Sequence, residues 1–471
     1  MTISVGILER ESIDFQLNNA FFFEQEKKEI SGKFSVNIFE KKIIFNGKIY
    51  DELIFCNKNS SVFTLFDVKI GINFHWEQFE NQHFEGDLKI VSDGEKLVAI
   101  NIIDIEKYLC SVISSEMSAM SFPELLKAHA VISRSWLLAS LEPRTKNKAQ
   151  RDNSQFSILN SQFIKWYERD AHTLFDVCAD DHCQRYQGVS DRGNRNRRNT
   201  FLKRVTSAVE ATKGEVLVYK NEICDTRFSK CCGGKTELFS SCWADNDFDY
   251  LTAKIDWLSP SPNPSPKGKG VFSPFGGVRG GDFGGVRGGD FGEIKGDDFC
   301  DLTQEKKSEK FILSSPKCFC NTNDKAIINQ IFKDFDKKTN DFFRWKVEYS
   351  NAELSDILKE KSGIDFGKII DLIPLKRGQS GRITLLKIVG TKQTLSVGKE
   401  LEIRRWLSKS HLYSSAFMVK KDEKDNFVLH GAGWGHGVGL CQIGAAVMSA
   451  QGYNYKEILA HYFDGTEIVN I

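Results

Sequence analysis

Residues 113–141 read ISSEMSAMSFPELLKAHAVISRSWLLASL. Ser121 is placed to cap free N–H groups at a helix start, and Pro123 suits the first turn, where its missing donor costs nothing. Beyond it Leu126, Ala130, Val131, Ser133, Arg134 and Leu137 keep helical spacing with no Gly or Pro to interrupt. Glu116 therefore sits on the approach to a well-defined helix. A lone carboxylate there is ordinarily a surface or capping group, and spacing by itself does not make it catalytic.

Working toward the N-terminus, residues 1 to about 105 read as strands. IDFQLN, KFSVNIF, KKIIFNG, SVFTLFDVKIG and KLVAINIID mix β-branched and aromatic residues, broken by Gly, Asn and Asp. Asp93-Gly94 is a hairpin turn signal. The opening residues, MTISVGIL, lack the basic-then-apolar pattern of a secretion signal, and no run approaches the roughly 20 apolar residues of a membrane helix. The expectation is a chain that stays inside or a mature form. Charges balance to a formal +1, which argues against a bulk nucleic-acid binder, and 36 Phe guarantee material for a core. At 471 residues, about two or three domains are expected.

Toward the C-terminus a polar stretch at 144–155 leads to an expected short helix around 163–169. HTLFDVCADDHCQRYQG follows, with His172, Cys178, His182 and Cys183 supplying the two imidazoles and two thiols that tetrahedral zinc prefers. Buried thiols beside surface histidines are the alternative. Twelve cysteines in a chain this long point to metal binding or buried thiols rather than staples. Cys224, Cys231, Cys232 and Cys242 form a rival metal set. Arg185, Arg192, Arg195, Arg197, Arg198, Lys203 and Arg204 read as a solvated basic loop. Residues 258–298 carry SPSPNPSPKGKG and the tandem FGGVRGGDFGGVRGGDFG, a composition unable to bury a core and read as a disordered insertion. Cys318-Phe319-Cys320 is too short a pattern to interpret. At the far end glycine occupies every second position from Gly431 to Gly439, suggesting N–H groups open to a ligand. No nucleotide-binding context surrounds it.

Together these elements give an α+β class, mixed and strand-rich, with the helix after Glu116 and a C-terminal Gly-rich loop plus helix. Four regions follow: a strand-rich 1–84, a first part of the central domain at 85–257, the repeat insertion at 258–298, and a second part at 299–471.

Longer words in the sequence carry a resemblance. Tyr108-Leu109, Glu116-Met117, Pro123, LKAHAV at 126–131 and Arg134 resemble the YL…EM…P…LKAQAV…R signature of the SpoIID/LytB family. HGAGWGHGVGLCQIGA at 430–445 resembles its GxGWGHGVGxxQxGA ending. CGGKTE at 232–237 is similar to the family's CGGxTE element. The resemblance implies a peptidoglycan lytic transglycosylase, in which Glu116 acts as general acid and base and a 1,6-anhydro-N-acetylmuramic acid end is formed. The alternative it implies is the family's other branch, a non-catalytic peptidoglycan-binding enhancer of an N-acetylmuramoyl-L-alanine amidase. Ser118 stands where the family commonly has Pro, which bears on the geometry at Glu116. By the same resemblance Gly233, Gly234, Thr236, His436 and Gln442 would contact glycan. Arg134 would either position substrate or hold the helix through an ion pair. His172, Cys178, His182 and Cys183 would hold a structural zinc. Expected partners are glycan strands and a cell-wall amidase, with no nucleic acid and no membrane span. The implied location is the cell envelope or periplasm, against the missing export signal.

Overall fold

The computed structural model describes residues 1–58, 61–72, 77–141, 163–165, 172–189, 195–257, 301–332 and 341–471. The repeat insertion, the polar stretch at 144–155 and Arg192 lie outside the described residues. The class is α+β.

The first 104 residues supply ten strands of an eleven-stranded sheet. Period-two burial builds it: along Ser12–Phe23 the side chains of Ile13, Phe15, Leu17, Phe21 and Phe23 face inward. Phe15, Phe23, Phe34, Phe45 and Phe55 meet ring to ring at 5.1–6.3 Å. Each fully buried ring contributes about 1.5–3 kcal/mol of transfer free energy. The Asp93-Gly94 turn forms as expected, with Lys96 opposite Asp93 and Gly94 at φ +62°. The sheet continues through Asp87–Asp93 and Lys96–Asp104, so it crosses residue 84 without a break. Its first strand, Thr2–Arg10, also accepts Val177–Cys178 as a parallel neighbour.

Lys96–Asp104 runs directly into helix α1, Ile105–Glu116, which the sequence reading did not separate from the strand. The Asp104 carboxylate caps it, accepting from Glu106 N at 3.0 Å. Helix α2, Pro123–Leu141, begins at the expected proline, but Ser121 does not cap it: its hydroxyl donates to Ser118 O and Gln330 O at 2.7 and 2.6 Å. Thirteen of the nineteen residues of α2 are buried. It is covered by α1, by helix α3 (Arg195–Ala211), by the strand Glu215–Tyr219, and by the helices Gln442–Ala450 and Tyr455–Tyr462. A helix enclosed on this many sides needs polar positions that are satisfied internally, and Ser135 shows how: it donates to Val131 O and accepts from Leu217 N.

A second core gathers Trp345, Leu354, Ile357, Leu372, Ile388 and Trp406 among others. It is built from the antiparallel strands Ile369–Arg377, Ile383–Gly390 and Thr394–Gly398 and from the three-stranded unit Arg344–Tyr349, Phe427–Ala432 and Phe417–Lys421. Residues Phe163–Lys165, expected as helix, join its edge as a strand parallel to Thr394–Gly398; residues 166–169 are not described. Helix Asn351–Ser362 starts on the Ser350 hydroxyl and stops at Gly363 in the left-handed region.

Candidate functional site

Glu116 is the last residue of α1, and the chain turns extended at Met117. Its side chain is 12 % exposed. Burial pushes its carboxyl above the usual range; the Arg185 guanidinium opposes this, the Asp181 charge reinforces it, and the Arg185 N–H and Lys230 also pull downward. A helix C-terminus adds partial negative charge and disfavours the carboxylate further. Geometrically, Arg185 N donates to Glu116 Oε1 at 2.9 Å, while Arg185 Nε stands 4.0 Å from Oε2 and bonds Asp181 Oδ1 at 2.6 Å. Arg185 was expected in a solvated loop; it is 14 % exposed and holds this site. Asp181 and Lys230 were not singled out from sequence, and Arg185 only as part of the basic loop. The i,i+4 spacing of Asp181 and Arg185 within the His/Cys segment was the available signal.

The segment that delivers Arg185 is the one rich in metal donors. One donor atom from each of His172, Cys178, His182 and Cys183 lies within 4.8 Å of the others. Cys183 Sγ is 3.4 Å from both His172 Nε2 and His182 Nδ1, and Cys178 Sγ is 3.7 Å from His182 Nδ1. Hydrogen bonding from Cys183, then His182, brings the Cys178 thiol down to about 3 against the opposing effect of burial. His182 Nε2 is buried and has no hydrogen-bond partner among the described residues. Two thiols and two imidazoles in this array fit a tetrahedral ion with all four positions filled by protein. Two residues past Cys183 comes the N–H that fixes Glu116. Ser115 is fixed the same way, accepting from Gln187 N at 3.2 Å.

Several residues expected at the glycan are used elsewhere. Arg134 is 1 % exposed; its Nε and Nη2 bond the two Glu106 oxygens at 3.0 and 2.6 Å and its Nη1 bonds Glu215 O at 2.9 Å, the ion-pair alternative. Gly233 and Gly234 are buried at φ +79° and +109°; a Cβ on Gly233 would stand 2.8 Å from Gly433 N, so it packs backbone on backbone, while Gly234 faces the side chains of Phe311, Pro316 and Cys318. Thr236 is buried with its hydroxyl donating to Thr252 O at 2.9 Å. Gln442, 2 % exposed, meets His129 Nε2 at 3.3 Å, and burial holds that imidazole neutral, down to about 3. The Gly-rich loop also spends its amides internally: Gly433 N and Gly435 N donate to Phe343 O and Tyr413 O. His436 is half-buried; its ring stands edge-on to Trp243 at 4.8 Å, and its Nδ1 accepts from Val438 N. Trp434 packs against Tyr413 and Phe332 at 5.3 and 6.1 Å and exchanges two backbone bonds with Cys231. Lys230 lies over the Phe332 ring at 5.4 Å, which links this aromatic group to the charges around Glu116. The groove lined by Pro123, Leu126, Lys203 and Arg204 between α2 and α3 shares no residue with this site.

A family described as Stage II sporulation protein matches residues 93–219, the span that holds α1, Glu116, α2 and the His/Cys cluster. Residues 93–219 thus carry a SpoIID-type domain. A domain of unknown function, DUF8618, matches residues 237–439. Stage II sporulation protein D of Bacillus subtilis is 24 % identical over 370 residues, 79 % of this chain and 76 % of that protein. An uncharacterized protein of Brachyspira hyodysenteriae is 24 % identical over 458 residues, covering 94 % and 91 %. The amidase enhancer of B. subtilis is 24 % identical over 272 residues, and there the chain spans only 32 % of the relative's length.

Proposed function

We propose that this chain acts on the cell wall as a peptidoglycan lytic transglycosylase. The observation that carries the reading is Glu116: a mostly buried carboxyl at a helix C-terminus, its proton affinity raised by burial, with Oε1 fixed by one backbone N–H. A carboxyl that holds its proton more tightly than an ordinary glutamate can donate it to the bridging glycosidic oxygen through Oε2. The resulting carboxylate then takes the proton of the sugar's own 6-hydroxyl, whose oxygen closes on the anomeric carbon to give the 1,6-anhydro end. One group serves both steps, whereas hydrolysis ordinarily uses a carboxylate pair. Asp181 is the nearby second carboxylate, and its Arg185 ion pair suits it to tuning Glu116. His436 stays in the proposal as a sugar contact on the Gly-rich loop.

The His172, Cys178, His182 and Cys183 set would hold zinc structurally. When bound, the ion supplies rigidity to the segment that positions Arg185; proton transfer belongs to Glu116. The proposed location is the cell envelope; among the described residues no helix is long and apolar enough to cross a membrane.

The amidase-enhancer relative supports a second reading, a glycan-binding partner of a cell-wall amidase without turnover of its own. Mass spectrometry of products from peptide-stripped glycan strands separates the two. Anhydro-ended sugars from wild type and none from Glu116→Gln support the transglycosylase. Glycan binding without cleavage, equal in both proteins, supports the enhancer.

A further inference from the structure

A second group of soft donors converges in the core, from four separate parts of the chain. One donor atom each from Cys232, Asp256, Cys320 and Cys441 lies within 4.8 Å of the others. Cys232 is 3 % exposed and the other three 0 %. None belongs to the His/Cys cluster. Of the cysteines that sequence spacing had grouped as a rival site, Cys232 is one of these four, Cys231 lies against Cys320 and Cys441, and Cys242 instead points its thiol at His436 O.

The distances discriminate between chemistries. A tetrahedral ion with metal–sulfur bonds of about 2.3 Å sets neighbouring sulfurs roughly 3.8 Å apart. A disulfide needs about 2.05 Å. Here Cys232 Sγ is 3.5 Å from Cys320 Sγ and 3.5 Å from Asp256 Oδ2. Hydrogen bonds orient the donors as an outer shell would: Tyr462 OH donates to Asp256 Oδ1 at 2.8 Å, His461 Nε2 is 3.4 Å from the same oxygen, and Cys320 N donates to Oδ2 at 3.2 Å. Cys441 caps the helix Gln442–Ala450, its sulfur receiving Cys232 N and Gly444 N at 3.3 and 3.4 Å, which favours a thiolate. Gly444 has no Cβ because one would stand 2.6 Å from Asp256 Oδ2. Asp256 is fully buried beside these three thiols, where a bound cation would balance its carboxylate.

We propose that Cys232, Asp256, Cys320 and Cys441 bind a zinc ion. With all four positions taken by protein the ion is structural. It fastens the turn after Phe228–Ser229 to the entry of the C-terminal helix, the two segments that already pair as parallel strands at Phe228 and Leu440. Asp256 and Cys320 bring the chain on either side of residues 258–300 to the same point.

The test uses the full chain, purified without chelator, as wild type, as Cys178→Ser/Cys183→Ser and as Cys320→Ser/Cys441→Ser. The expected zinc content is two ions per wild-type chain and one in each double variant. The ion retained by Cys178→Ser/Cys183→Ser should show a sulfur-dominated X-ray absorption shell without imidazole scattering. Absence of zinc from that variant, an imidazole-bearing shell, or an intact mass lowered by two hydrogens through a disulfide would each overturn the proposal. Should Cys320→Ser/Cys441→Ser fail to fold, Asp256→Asn replaces it, and the retained ion in the first variant decides by itself.

Discussion

Replacing Arg134 by Met tests whether this side chain is framework or substrate contact. The change removes three hydrogen bonds, two of them to the Glu106 carboxylate, whose side chain is 19 % exposed, and strands Glu215 O. Breaking a buried pair from one side costs about 3–5 kcal/mol, because the remaining charge is left without compensation. Arg134→Lys should recover only part of this, since an ammonium cannot reproduce the two-pronged contact. The double variant Glu106→Leu/Arg134→Met leaves no orphaned charge and should be more stable than Arg134→Met by at least about 1 kcal/mol. Urea unfolding followed by tryptophan fluorescence reads all four proteins, with glycan turnover measured alongside. A midpoint unchanged in Arg134→Met together with a raised KM would refute the reasoning and return Arg134 to the substrate.

Other expectations concern the site itself. Glycan cleavage should fall as pH rises through the raised pKa of Glu116, and Arg185→Gln, which removes a downward pull and releases Asp181, should move that limb to higher pH; an unmoved limb uncouples Arg185 from the reaction. The folded-state pKa of Glu116 lies above the ordinary glutamate value, so its contribution to stability is present below that value and lost as pH rises through the raised one. Glu116→Gln should therefore match or exceed wild type in urea midpoint above that range. Stripping zinc from the His/Cys cluster should reduce turnover at least about tenfold by freeing the Arg185 segment, and cobalt should restore it as well as zinc does; rates that track the metal's Lewis acidity would place the ion in the chemistry instead. Gln442→Ala should cost about 1–3 kcal/mol by orphaning His129 Nε2 while leaving KM unchanged, and a KM effect at full stability would restore Gln442 to the glycan.

Helix α2 was readable because nineteen residues keep one period without a breaker, and its cover on several sides does not alter that pattern. The His172 to Cys183 donors were readable because they fall within one short segment. Helix α1 was not, since the apolar strand Lys96–Asp104 flows into it with only Asp104 to mark the boundary. Gly233, Thr236 and Gln442 carry family words, yet the words do not say what each packs against; the contacts of Gly233 with Gly433, Thr236 with Thr252 O and Gln442 with His129 exist only in three dimensions. Cys232 and Cys441 stand 209 positions apart, beyond any spacing rule.

The enclosure of α2 also has a cost in time. Its covering pieces at Glu215–Tyr219, Gln442–Ala450 and Tyr455–Tyr462 all lie C-terminal to it, the last some 320 residues downstream. The N-terminal sheet can close on the ribosome once Lys96–Asp104 emerges, apart from Val177–Cys178. At synthesis rates of roughly 5–20 residues per second, the α2 faces that meet Gln442–Ala450 and Tyr455–Tyr462 then stay bare for about 15–60 s. For that interval the nascent chain is a client for holding chaperones, and its yield should depend on translation speed beyond residue 141.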